Sequence, residues 1–91
     1  MKYKVTLEKQ AIKDIQKITK AGNKRDITKL YQLLEELKIH PETGTGNPEQ
    51  LKYSLSGYWS RRINKKDRLI YEIIEEPDCL VVVVSAFGHY E

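Results

Sequence analysis

The sequence predicts an α+β domain in which two helices pack on one face of a mainly antiparallel sheet. Two observations support this fold class. Apolar residues recur at helical spacing in the first half of the chain, and strand-like apolar runs separated by short turns fill the second half. The predicted order is one strand, a helical hairpin and four antiparallel strands. Residues 1–91 are expected to form a single domain, because a chain this short builds one small core.

The first element is predicted to be a strand at residues 3–7, where apolar and polar side chains alternate. Thr6 is expected to cap the helix that follows it. The apolar stripe of this helix consists of Ala11, Ile12, Ile15 and Ile18. Gly22 is expected to end the helix in a left-handed conformation.

A second helix is predicted after Gly22. Asn23 and Asp26 resemble a capping pair for its first turn. Pro41 is expected to stop it, since proline cannot continue a helix. Its predicted apolar stripe consists of Ile27, Leu30, Tyr31, Leu34 and Leu37.

The segment from Pro41 to Pro48 is rich in proline and glycine and is predicted to be a loop. Four strands are expected after it, joined by short turns that favour antiparallel pairing. They are Leu51–Tyr53, Tyr58–Asn64, Arg68–Ile74 and Cys79–Phe87. The run Leu80–Val84 is apolar on both faces, which predicts the central strand.

Composition and charge exclude several classes of protein. The single cysteine, Cys79, rules out an intramolecular disulfide and lies beside no cluster of metal-ligating residues. No segment has the length and hydropathy of a membrane span or a signal peptide, so a cytoplasmic location is expected. The net charge of +3 suits an anionic partner without identifying one.

The basic charge is concentrated between Lys52 and Arg68. Six basic side chains and one acid lie in this stretch, so the remainder of the chain is net acidic. Tyrosines and the only tryptophan lie between the cations, a combination suited to phosphates and stackable bases. The expected RNA contacts are Lys52, Trp59, Arg61, Arg62, Lys65 and Lys66. The alternative is an ordinary sheet with packed aromatic rings on one face and solvated cations on the other.

Three polar residues at ends of strands can converge on one end or face of the sheet. Glu49 follows a stiffened Asn-Pro pair, Arg68 begins a strand, and His89 follows the last strand. A carboxylate base, an arginine that binds phosphate and an imidazole acid are sufficient to cleave RNA through its own 2′-hydroxyl group. Each residue also has an ordinary interpretation: a solvated loop carboxylate, an arginine paired with Glu72, and a frayed tail.

A longer pattern of motifs distinguishes between these interpretations. The segment GTGNPEQLKYSLSGYWSRRINKKDRLIY, together with the His-Tyr pair near the end, resembles the Txe/YoeB family of bacterial toxins in the RelE superfamily. The matches include Pro48-Glu49, the WSRRI run, the RLIY run and His89-Tyr90. Two departures stand out: Glu91 follows the terminal pair, and Asn47 occupies a position where lysine is common in that family.

The resemblance implies a ribosome-dependent endoribonuclease, an mRNA interferase that cleaves mRNA in the ribosomal A site without a cofactor and so inhibits translation. By this resemblance Glu49 is the general base, His89 the general acid and Arg68 the residue that stabilises the transition state. Tyr90 would help to hold the substrate, and Arg62 would provide a second phosphate contact.

The resemblance also implies partners. They are mRNA on the bacterial ribosome, an acidic YefM/Phd-like antitoxin, operator DNA reached only through the antitoxin complex, and a second copy in a homodimer, with no membrane association. Two other functions fit the same sequence. One is an RNA- or ribosome-binding domain that blocks translation without cutting, and the other is an accessory subunit that only binds the antitoxin.

Overall fold

A computed structural model describes residues 2–88, and the elements follow the predicted order. The strands and helices are β1 (Lys4–Leu7), α1 (Lys9–Ala21), α2 (Lys24–Leu37), β2 (Glu49–Gln50), β3 (Tyr58–Arg62), β4 (Arg68–Ile74) and β5 (Leu80–Ser85), with a 3-10 turn at Tyr53–Leu55. The predicted fold class, a strand and a helical hairpin followed by four antiparallel strands, is confirmed.

The five strands form one sheet in the order β1-β5-β4-β3-β2. Strands β2 to β5 pair with their neighbours in antiparallel fashion, whereas β1 runs parallel to β5. The helical hairpin follows β1 in the chain and belongs to the long connection that a parallel pair requires. Strand β5 has neighbours on both sides, as its apolar sequence predicts, but the middle strand of the sheet is β4.

The core lies between the helices and one face of the sheet. Each strand places alternate side chains on this face, while the helices contribute apolar residues about one turn apart. The buried apolar side chains of the core include Ala11, Ile18, Leu30, Leu33, Leu37, Leu69, Tyr71, Val81 and Val83. The predicted stripe of α2 was therefore wrong at Tyr31, which is half exposed, and missed Leu33.

Two of the three predicted helix caps are confirmed. Gly22 ends α1 with a φ of 77°, and the Asn23 side chain accepts a hydrogen bond from the Asp26 N–H at 3.1 Å. The prediction for Thr6 was wrong. Thr6 lies within β1 opposite Val82, and the residue that precedes α1 is Glu8, whose side chain makes no capping bond.

The strand predicted at Leu51–Tyr53 was also wrong in its position. The chain pairs with β3 two residues earlier, at Glu49–Gln50, and Tyr53 begins the 3-10 turn. Tyr53 has a φ of 59°, a left-handed conformation that a regular strand does not contain. The edge of the sheet therefore begins at Glu49 itself, which determines the face on which this carboxylate lies.

Candidate active site

The register of the sheet brings Glu49 and Arg68 to one cavity. Glu49 lies opposite Ser60, and Ser60 lies opposite Ile70, which is two residues from Arg68 on the same face of β4. This face is the one turned away from the helices. The cavity has a volume of about 300 Å³ and is lined by Glu49, Gln50, Leu51, Lys52, Ser60 and Arg68.

The loop before Glu49 is anchored to β3 by a close backbone approach at Gly46. The Gly46 carbonyl accepts a hydrogen bond from the Arg62 N–H at 2.7 Å. A Cβ atom at Gly46 would lie 3.0 Å from both the Arg62 carbonyl oxygen and the Leu33 Cδ2 atom, and the φ of +87° also disfavours a side chain. Glycine at this position therefore lets the loop enter β2 close to the sheet.

Arg61 anchors the same loop from the helix-facing side of the sheet. Its side chain is fully buried and donates hydrogen bonds to the backbone carbonyls of His40, Thr43 and Thr45. It also forms an ion pair with Glu36 at 2.8 Å. A guanidinium with no exposed surface has no access to RNA. The prediction that Arg61 contacts RNA was therefore wrong, and we assign this residue to the positioning of the loop.

Glu36 completes this anchor from α2. Its carboxylate accepts hydrogen bonds from the Thr45 N–H at 2.8 Å and the Thr45 hydroxyl at 2.6 Å. Partial burial alone would raise the pKa of Glu36. The hydrogen bonds from Thr45 and Arg61, with the charge of Arg61, outweigh burial and hold this pKa below its ordinary value. The loop is thus fixed by an ionised carboxylate.

Two arginines face each other across β3 and β4 near the cavity. Arg62 is the direct cross-strand partner of Arg68, so the two side chains lie on the same face of the sheet. Within residues 2–88 neither guanidinium forms a salt bridge, and the alternative pairing of Arg68 with Glu72 is not observed. Like charges opposite each other are unfavourable unless an anion lies between them or nearby. This pair therefore favours a phosphate at the cavity.

Ser60 lines the cavity and was not identified from the sequence as a site residue. It is 1% exposed, and its Oγ atom has no hydrogen-bond partner among the described residues. The sequence does contain a signal for Ser60. Residues 58, 60 and 62 share one face of the strand, and Arg62 on that face is a predicted RNA contact. Its hydroxyl group lies in the wall of the cavity, and its hydrogen-bond donor is unused within residues 2–88.

The remaining predicted residues occupy three different places. Lys52 lines the cavity, while Lys65 and Lys66 are exposed in the turn between β3 and β4. Trp59 lies on the helix-facing side of β3, half-buried against the core, and is not part of the cavity. His89 and Tyr90 lie outside the described residues.

Gly88, the residue that precedes His89 in the sequence, lies beside Arg68. Gly88 is the last described residue, and its carbonyl accepts a hydrogen bond from the Arg68 N–H at 3.2 Å. His89 is the next residue in the sequence. The strand that presents Arg68 and the segment that leads to His89 are thus joined by a backbone hydrogen bond.

A larger cavity lies on the helices, and its lining does not suggest catalysis. Its volume is about 940 Å³, and its lining residues are Lys13, Ile15, Gln16, Lys17, Thr19, Lys20 and Tyr31, with no carboxylate or imidazole among them. Within residues 2–88 no group of three His, Cys, Asp or Glu side chains is arranged to hold a metal ion. In the same part of the chain, no helix has the length and apolar character needed to cross a bilayer.

Comparison with known proteins identifies the family. Residues 7–90 match the family of YoeB-like toxins of bacterial type II toxin-antitoxin systems. This chain belongs to that family. Toxin YoeB of Escherichia coli K12 is 38% identical over 68 residues, which cover 75% of this chain and 77% of that protein. The resemblance deduced from the WSRRI and RLIY motifs is confirmed.

Solved structures of YoeB toxins share the fold. A YoeB dimer from Staphylococcus aureus superposes with a TM-score of 0.79 at 33% identity, covering 99% of this chain and 100% of that chain. A YoeB-YefM complex from the same organism superposes with a TM-score of 0.77 at 33% identity, with the same coverage. The chain is therefore a toxin of a toxin–antitoxin system with the YoeB and RelE-superfamily fold.

Proposed function

We propose that this toxin is a ribosome-dependent endoribonuclease that cleaves mRNA in the ribosomal A site. The observation that carries the proposal is the single cavity that contains both the Glu49 carboxylate and the Arg68 side chain. The proposed base and the proposed phosphate-binding arginine thus line one cavity, where a single scissile phosphodiester can contact both. The family membership supports a toxin, and this cavity supports RNA cleavage as the way in which it acts.

The reaction follows from the groups around the phosphodiester. Glu49 removes the proton of the 2′-hydroxyl group, and the 2′-oxygen forms a bond to phosphorus. The bond between phosphorus and the 5′-oxygen breaks, and His89 donates a proton to that oxygen. The products are a 2′,3′-cyclic phosphate and a 5′-hydroxyl end. No added nucleophile is needed, because the substrate carries its own.

Charge stabilisation is assigned to the cations around the cavity. Arg68 donates hydrogen bonds to the non-bridging oxygens, whose negative charge increases in the transition state. Arg62 and Lys52 bind the neighbouring phosphates, while Ser60 donates a further hydrogen bond to the bound phosphodiester. Tyr90 holds the adjacent nucleotide. Lys65 and Lys66 extend the attraction for RNA beyond the cavity.

The proposed partners follow the same reasoning. The YoeB-YefM complex supports an acidic YefM-like antitoxin that binds this toxin, and the YoeB dimer supports a homodimer. A surface whose arginines, Arg62 and Arg68, form no salt bridge within residues 2–88 suits the carboxylates of such an antitoxin as well as RNA phosphates. Operator DNA would be bound through the antitoxin, and the site of action is the cytoplasm, where ribosomes are found.

Primer extension on programmed ribosomes tests the proposal. We expect the wild-type protein to produce a discrete cut in the A-site codon. Glu49→Ala, Arg68→Ala and His89→Ala should each reduce the cleavage rate by about 100-fold or more. A general acid or base contributes about 10² to 10⁴ in rate, and a donor that stabilises transition-state charge contributes about 10² to 10³. Glu42→Ala is the matched control, because Glu42 is exposed in the same loop and does not line the cavity.

Two outcomes would overturn the proposed nuclease activity. If translation stops while the message stays intact, and the Glu49 variant stops it equally well, the protein is a ribosome-binding inhibitor that does not cut. If the wild-type protein neither cleaves RNA nor arrests growth when expressed alone, it is an accessory subunit that binds antitoxin.

A further inference from the structure

Each of the three residues that precede His89 is held by a different side chain or backbone group. The Ala86 N–H donates a hydrogen bond to Asp14 Oδ2 at 3.0 Å, and the Gly88 N–H donates one to Asp67 Oδ1 at 2.8 Å. Between them the Lys17 ammonium lies 5.1 Å from the centroid of the Phe87 ring. Residues 86–88 belong to no helix or strand, so three separate anchors on them need a reason.

The two carboxylates are unusual because both are buried without a cationic partner. Asp14 and Asp67 are each 3% exposed, and within residues 2–88 neither forms a salt bridge. Burying a charge is costly unless it is well hydrogen-bonded. In each case one oxygen accepts a hydrogen bond from a backbone N–H of the same short segment, so both buried side chains hold residues 86–88 in place.

Asp67 connects this segment to the rest of the site. Its Oδ2 atom accepts a hydrogen bond from the Asn64 amide at 2.9 Å, and the same amide donates to Asp26 on α2 at 3.0 Å. The residue after Asp67 is Arg68, whose N–H donates to the Gly88 carbonyl. Both polar groups of the Gly88 backbone are therefore bound by consecutive residues at the start of β4.

The conformation of Gly88 fits this arrangement. Its φ is +89°, in the left-handed region that glycine adopts without the strain of a side chain. The chain thus turns at Gly88 while its N–H and carbonyl groups remain attached to β4. The Gly88 backbone is therefore held by Asp67 and Arg68 together.

We propose that Asp67 is a positioning residue for the proposed general acid: together with Arg68 it holds the backbone of Gly88, the residue that precedes His89, against the start of β4. Asp14 is a second anchor, at Ala86. Neither aspartate touches the substrate. The inference rests on the proposed function, because it concerns proton donation by His89 to the leaving oxygen.

A substrate that does not need an acid gives the decisive test. In an mRNA whose scissile 5′-oxygen is replaced by sulfur, the leaving group is a thiolate, whose conjugate acid has a pKa of about 8.5 for a thiol such as cysteine. Such a group departs without protonation. Loss of the general acid, or of its positioning, should therefore slow cleavage of the oxygen substrate and leave cleavage of the sulfur substrate nearly unchanged.

The experiment measures single-turnover cleavage of both mRNAs on programmed ribosomes. We expect Asp67→Ala to slow cleavage of the oxygen substrate by about 100-fold, because a small misplacement of a catalytic group has an effect of this size. Cleavage of the sulfur substrate should slow by less than about 3-fold. His89→Ala should show the same selectivity with a larger loss. Asp26→Ala is the matched control, since Asp26 belongs to the same hydrogen-bond network without reaching Gly88.

The outcomes separate this inference from the proposed function. If the wild-type protein cleaves and Asp67→Ala slows both substrates equally, Asp67 has only a structural role and the inference fails. If the wild-type protein cleaves neither substrate, the nuclease itself fails. Thermal unfolding checks each variant. If Asp67→Ala does not fold, the cleavage rates of the oxygen and sulfur substrates are compared for Asp67→Asn and Asp14→Asn instead. Equal losses on both substrates overturn the inference.

Discussion

Ser60 is the buried polar side chain of the sheet that has no hydrogen-bond partner within residues 2–88. A hydroxyl group removed from water without a new partner destabilises a protein by about 1 to 3 kcal/mol. Its place in the wall of the cavity beside Glu49 gives this cost a functional explanation under the proposed function, in which the hydroxyl donates a hydrogen bond to the bound phosphodiester. Stability and activity therefore make opposite demands on this residue.

Ser60→Ala should separate the two demands. We expect the variant to unfold at a higher urea concentration, with a gain of about 1 kcal/mol, because an unpaired buried hydroxyl is removed. Under the proposed function the same variant should cleave mRNA more slowly. Ser54→Ala, at an exposed serine, is the control and should change neither quantity. A Ser60→Ala protein that is less stable would indicate that the hydroxyl contributes to the fold.

The loop between α2 and β2 is an element without regular structure that is nevertheless fixed. Glu36 on α2 and Arg61 on β3 bind its backbone from two sides. This matters for the site, because the loop leads directly into Glu49. The proline and glycine content of the sequence indicates a loop. The fixed conformation of this loop results from the two charged side chains that hold it.

The depressed pKa of Glu36 makes this anchor sensitive to acid. A carboxyl group whose pKa is lower in the folded state stabilises the fold fully above its unfolded pKa of about 4.3 and loses this contribution as the pH falls through the folded pKa. We expect Glu36→Gln to cost about 1.5 to 3 kcal/mol at pH 7, since hydrogen bonds to a charged group are replaced.

Urea unfolding at pH 7, 5 and 3 measures this dependence. The difference between wild type and Glu36→Gln should persist at pH 5 and shrink at pH 3. Glu35→Gln is the control, because Glu35 forms only an exposed ion pair with Lys38. A difference that stays constant down to pH 3 would contradict the assignment of this charge.

Arg61 joins the layers of the whole molecule. It extends from β3 to Glu36 on α2, to the loop carbonyls, and to the hydroxyl of Tyr71 on β4 at 3.1 Å. Tyr71 in turn donates to the Pro41 carbonyl at 2.7 Å. The neighbouring Arg62 lies on the other face and is exposed. Two adjacent arginines of the WSRRI run thus have different roles because strand side chains alternate.

This contrast predicts opposite behaviour for the two alanine variants. Arg61→Ala should lower the free energy of unfolding by about 3 to 5 kcal/mol, because it leaves the Glu36 charge and several loop carbonyls without their partner. Arg62→Ala should change stability by no more than about 0.5 kcal/mol, as surface substitutions usually do, while weakening RNA binding. Equal stability losses in urea unfolding would contradict the two assignments.

Local sequence determined the elements of this protein and the chemistry available to it. Alternation and helical spacing identified the order of strands and helices, and they placed β4 at Arg68–Ile74 without error. Gly22 and Asn23 marked the junction of the helices because capping depends on neighbouring residues alone. The motifs around Glu49, Trp59 and Arg68 were sufficient to identify the family.

Which side chains meet depends on the tertiary structure. The parallel pairing of β1 with β5, the two-residue strand at Glu49 and the burial of Arg61 depend on contacts between residues far apart in the chain. A charged side chain in a basic stretch is expected to be solvated unless its partners are known, which is why the sequence alone predicts an RNA contact at Arg61. Asp67 was missed for the same reason, since its partner at Gly88 is 21 residues away.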